Sequence, residues 1–140
     1  MERPSGVQFV AGLVVPAAFG ALVGVMLGVS AEAYWGLQIL AAIGGVLGGM
    51  EHRDATEGAD RGLFGGLVFG SFLLLAHAIT GAEPKADLGS MPALLIVFAG
   101  IVGALLGALG GTIRAARQRR SENREASEGS LPARSRTDTP

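Results

Sequence analysis

The sequence predicts an all-α membrane protein, with four transmembrane helices in a glycine-zipper bundle and a disordered C-terminal tail. Three observations carry this prediction. Residues 4–31, 33–50, 62–82 and 88–113 contain no Asp, Glu, Lys or Arg. There are 23 glycines in 140 residues, more than twice the average share of about 7%, and many recur every four residues. After Ile113 the composition turns abruptly to Arg, Ser, Glu and Pro.

A helix rises about 1.5 Å per residue, so about 20 residues cross a hydrocarbon core of about 30 Å. A charge at the centre of such a span costs roughly 2.5–3.5 kcal/mol on insertion scales, which is why charge-free runs of this length are informative. The spans are expected at about 8–29, 33–50, 62–80 and 92–113. A soluble bundle would need a polar stripe on each helix, and none of these segments has one. Mean hydropathy of +0.45, with 49% hydrophobic and 16% charged residues, agrees.

The first span opens at Ser5-Gly6-Val7-Gln8, which fits the capping box S/T-x-x-E/Q. Val29-Ser30-Ala31 resembles a signal-peptide end, but the apolar stretch exceeds the usual 7–15 residues. A retained helix is expected. The second span is short, with Tyr34 and Trp35 at the level of an aromatic belt. The third should start in water near Ala55, where Asp54-Ala55-Thr56-Glu57 is an acidic capping box, and enter the membrane near Gly62. The fourth should start at Pro92, behind a Ser90 cap.

Residues 1–113 thus form the expected four-helix transmembrane domain, and 114–140 a basic juxtamembrane segment and disordered tail. Beyond Arg120 the only large aliphatic is Leu131, too little to offset the entropy of ordering. Arg3, Arg53, Arg61 and the tail arginines share one side, against Lys85 on the other. The positive-inside rule then places both termini in the cytoplasm of a multi-pass plasma-membrane protein.

Glycine spacing predicts the packing. Gly20, Gly24 and Gly28 recur in the first helix, Gly62, Gly66 and Gly70 in the third, and Gly103, Gly107 and Gly111 in the fourth. Gly44 and Gly48, beside Gly45 and Gly49, form two ridges in the second. Residues four apart share a helical face, and small residues there let backbones approach closely, the main source of helix association in lipid. Such faces recur in many membrane families and point to no single one. Residues 41–49 also align with 99–107, as does Gly12-Leu13-Val14-Val15 with Gly66-Leu67-Val68-Phe69. This reads as two tandem αα-hairpin repeats, with parallel halves related by an axis along the membrane normal.

Intramembrane polar residues are the default functional candidates. Gln38 and His77 lie at similar depth near the outer ends of the second and third helices, with Glu32 in the turn above. They form either a proton-sensitive or solute-binding cluster, since histidine titrates near neutral pH, or interhelical hydrogen bonds worth about 0.6 kcal/mol each. Ser71 and Thr80 can bond a preceding carbonyl and need no role.

Absent cysteine excludes disulfides, thiolate metal sites and cysteine nucleophiles, and two histidines cannot complete a typical zinc site. The acidic 51–60 loop lacks the spacing of a calcium loop, and no strand precedes any glycine run as a dinucleotide site requires. No catalytic arrangement, cofactor or nucleic-acid partner is expected. The expected partners are the lipid bilayer and a second copy or another membrane protein. The expected role is structural or interaction-based; the alternative is a small channel or transporter with its site near Gln38 and His77.

Overall fold

The computed structural model describes residues 5–89 and 91–129, with side-chain surroundings from Gly12 to Ser127. Among these residues there are four helices and no strand. They are α1 (Ser5–Leu27), α2 (Ala31–Gly49), α3 (Ala55–Thr80) and α4 (Leu94–Gly129). Two of them, α3 and α4, are long and apolar enough to cross a membrane, holding 18-residue stretches of mean hydropathy 1.9 and 2.4 respectively. The described apolar part of α1, Gly12–Leu27, is shorter, and α2 carries Glu32 and Gln38 within its 19 residues.

Local signals set the helix ends. Ser30, in extended backbone, caps α2 by accepting from the Ala33 N–H at 3.2 Å. Asp54 Oδ1 accepts from Thr56 and Glu57 N–H groups at 2.9 Å, so α3 does start at Ala55. Glu57 Oε2 reaches back past the cap to accept from the Arg53 N–H at 3.1 Å, a near relative of the box. Gly81 ends α3 at φ 61°, a left-handed conformation that a Cβ disfavours. Pro92 and Ala93 form a tight turn ahead of α4, which opens at Leu94 through Leu94 N–H to Met91 O and Leu95 N–H to Pro92 O bonds. The side chains of Ser5 and Gln8, and all of Ser90, lie outside the described residues.

The tail departs from expectation. Helix α4 does not end at Ile113 but continues to Gly129, so residues 121–129 are helical where disorder was expected. Residues 114–127 hold no Pro or Gly and are rich in Arg, Ala and Glu, all good helix formers. A helix already nucleated in α4 extends through them at no further nucleation cost, without needing a core of its own. Residues 130–140 lie outside the described residues.

The helices close a ring in the order α1–α3–α4–α2. The largest interface joins α3 to α4, α1 lies along α3, and α2 lies along α4. Contacts of α2 with α1 and with α3 are slight, and α1 does not meet α4 among the described residues. A two-fold axis along the helices would make the α1–α4 contact equal to α2–α3, and α1–α2 equal to α3–α4. Neither equality holds, so the two hairpins are not related as the repeat predicted. The glycine faces of α1 and α2 are used against the second hairpin instead of against each other.

The two ends of the ring differ in chemistry. At one end, here the Tyr34 end, Val23, Leu27 and Leu73 are fully buried beside Tyr34 and Ala86. The α3–α4 loop folds over this core, and the Lys85 N–H donates to the Leu27 carbonyl at 2.8 Å. At the other end, here the Arg114 end, backbone meets backbone through glycine.

Candidate functional site

Glycines position the helices. A Cβ on Gly20 would fall on the Phe69 carbonyl oxygen, and one on Gly24 on that of Leu73, so α1 lies directly on the α3 backbone. Gly28 faces the Ala82 methyl and the Thr80 hydroxyl. Along the α3–α4 interface Gly62 meets Gly103, Gly66 meets Ala99, and Gly70 meets Ile96 and Ala99. Gly107 lies against Gly58, and Gly111 backs onto the Asp54 carbonyl. Of the two ridges on α2, Gly45 and Gly49 face α4, while a Cβ on Gly44 or Gly48 would meet nothing within 4 Å. Gly110, whose Cβ would strike Val46 O, joins α4 to α2 without belonging to the four-residue series.

Against this frame, the expected polar cluster is not assembled. Gln38 Nε2 donates to Tyr34 Oη on its own helix at 2.9 Å. Because α2 packs on α4 and only grazes α3, no hydrogen bond joins Gln38 to His77 among the described residues. Glu32 is exposed and accepts from Ser30 Oγ at 2.7 Å. That bond, followed by one from its own backbone N–H, holds the Glu32 carboxyl below its ordinary range. Three residues read as one cluster are therefore two local pairs and a separate histidine.

His77 stands on the last turns of α3 beside an open groove of about 650 Å³, lined by Leu74, Ala78, Lys85, Ala86 and Leu88 among others. Its Nδ1 is buried without a hydrogen-bond partner. Its carbonyl accepts from Thr80 Oγ1 at 2.6 Å, and Ser71 Oγ donates to Leu67 O at 2.8 Å, as expected of hydroxyls on a helix. No three His, Asp or Glu side chains gather as metal ligands among the described residues.

Two residues matter more than the sequence reading allowed. Tyr34 belongs to the core, 3% exposed with its ring edge-on to Trp35, and only Trp35 faces outward. The i,i+4 spacing of Tyr34 and Gln38 was the available signal for their bond. Arg114 donates to the Met50 carbonyl at 3.1 Å and the Glu51 carbonyl at 2.8 Å, where α2 ends. Nothing in the sequence connects positions so far apart. A cation there satisfies unpaired carbonyls and suits the negative end of the helix dipole.

The outer surface is apolar around the ring. Val15, Ile39, Leu47, Leu75, Phe98 and Leu105 are each more than half exposed. Set against protein-family models, characterised proteins and solved structures, the chain matches none of them.

Proposed function

We propose that the chain is a small four-span integral membrane protein, a glycine-zipper bundle whose role is structural or interaction-based rather than catalytic. The belt of exposed aliphatic and aromatic side chains carries this reading. Soluble monomers rarely expose a contiguous apolar patch above a few hundred Å², whereas lipid is the solvent such a belt requires. Glycine-to-backbone packing supports it too, because close approach replaces hydrophobic drive between helices in lipid. In this reading both termini are cytoplasmic, and the bilayer and other membrane helices, including those of a second copy, are the partners.

An interaction role is favoured over transport by how the polar atoms are used. Gln38 is bonded within α2, Glu32 within its own turn, and the ring interior offers glycine backbone and aliphatic side chains. Ion pathways need carbonyl rings, charged rings or broken helices. Helix α1 passes through Pro16 without interruption.

Two measurements test the reading. The full chain should stay with membranes after an alkaline wash, and an impermeant thiol reagent should label Glu83→Cys but not Thr56→Cys in intact cells. Purified protein in proteoliposomes should add no flux of monovalent cations, anions or small neutral solutes over empty vesicles. Release by the wash would sink the membrane assignment, labelling at Thr56 alone would invert the orientation, and saturable flux would favour a transporter.

A further inference from the structure

The helical extension of α4 segregates its charges. Leu105, Leu109, Thr112 and Ala116 follow one another at three- and four-residue spacing on the exposed side of α4, and Arg119 and Arg120 continue that side. Arg117 is exposed one turn earlier, on the flank that continues Gly110. On the opposite side, that of Gly103 and Gly107, Arg114 is occupied by the Met50 and Glu51 carbonyls, and Glu122 and Glu125 follow it on the same side. The neighbouring acids are engaged as well: Asp54 and Glu57 both accept from backbone N–H groups. No ion pair holds Arg117, Arg119 or Arg120 among the described residues.

With Ile113 taken as the end of the span, depth follows from the helix rise. At about 1.5 Å per residue, Arg117 stands about 6 Å beyond Ile113, and Arg119 and Arg120 about 9–10 Å. The headgroup layer occupies roughly 5–8 Å on each side of the hydrocarbon, and long arginine stems snorkel back toward it. Arg124, about 16 Å beyond Ile113, stands clear of that layer.

The geometry points to a binding site for anionic phospholipid headgroups centred on Arg120 on the exposed side of α4, with Arg119 and Arg117 on its two flanks. The guanidinium groups recognise phosphate oxygens through paired N–H donors, and the exposed apolar side of α4 beneath them accommodates the acyl chains. The site rests on the membrane reading above. Each arginine near a charged surface contributes roughly a fivefold preference for anionic over zwitterionic lipid.

The test places the purified full chain in phosphatidylcholine nanodiscs doped with spin-labelled phosphatidylglycerol or spin-labelled phosphatidylcholine. The protein-immobilised fraction of each label is then compared. The parent should prefer phosphatidylglycerol severalfold, and added salt should weaken that preference. Arg117→Gln/Arg119→Gln/Arg120→Gln should bring it close to one, the corresponding triple lysine variant should keep most of it, and Arg124→Gln should leave it unchanged. No preference in an inserted parent, or one that survives the glutamine triple, overturns the site and leaves the membrane reading standing. Failure of the parent to enter nanodiscs overturns both.

Discussion

A Cβ on Gly62 would fall on the carbonyl oxygen of Gly103, and one on Gly103 would fall on that of Gly62. Gly58 and Gly107 repeat the relationship one turn away. Each helix is thus the mould of the other, and neither side has a flexible atom that can move aside. Gly62→Ala or Gly103→Ala should therefore destabilise the bundle by about 1–3 kcal/mol, the usual cost of overpacking. Gly44→Ala and Gly48→Ala, with open space around the added methyl, should be neutral or stabilising by about 0.5–1 kcal/mol. Unfolding in detergent separates the two groups, and equal midpoints would refute the interface.

Gly12 is the informative exception among the close contacts. Its missing Cβ leaves room for the guanidinium of Arg61, the far end of a long side chain. Gly12→Ala should accordingly cost under about 1 kcal/mol, well below Gly24→Ala, which strikes the Leu73 backbone. The same melting experiment checks the ranking.

Arg114 closes the opposite end of α2. Arg114→Gln should lower stability by about 1 kcal/mol, below the usual 1.5–3 for hydrogen bonds to a charged group because the site is partly exposed. Arg114→Lys should recover most of it, since both bonds leave the single nitrogen Nη1 and an ammonium carries N–H donors enough for two. Denaturant midpoints at fixed lipid-to-detergent ratio measure both.

For His77, a buried Nδ1 without a partner is a cost to the fold that an apolar residue would remove. His77→Leu should fold with stability equal to or above the parent. Loss of the folded bundle in that variant would reveal a hydrogen bond essential to the helix ends.

Glu32 supplies the pH dependence. Its folded carboxyl titrates below its ordinary value of 4.5 because Ser30 donates to it. The associated stabilisation is present above that ordinary value and is lost as pH falls through the lower, folded one. Glu32→Gln should therefore melt slightly below the parent at neutral pH, with the difference vanishing in acid. A difference that grows on acidification would reverse the assigned sign.

The sequence by itself determined the helices and most of their ends. Long charge-free runs with few prolines favour helix, and the Asp54 cap, the Ser71 and Thr80 hydroxyls and the four-residue glycine rows are local matters, complete within a turn or two. It also marked many of the glycines that meet a backbone, though not whose; Gly44 and Gly48 share the spacing and meet nothing, and Gly110 lies outside it yet meets Val46 O. Three readings failed for want of distant information. Ring order depends on which glycine face finds which partner, so Gln38 and His77, level in depth, stand on helices that barely touch. Tyr34 reads as an interfacial aromatic until the α3–α4 loop brings Ala86 and Lys85 over the core. Arg114 reads as one of several tail arginines, yet the close α2–α4 crossing at Gly49 and Gly107 sets it beside the Met50 and Glu51 carbonyls that follow α2. Backbone geometry over a few residues is written in those residues, whereas the choice among four similar glycine faces is a difference in packing energy that only the assembled bundle decides.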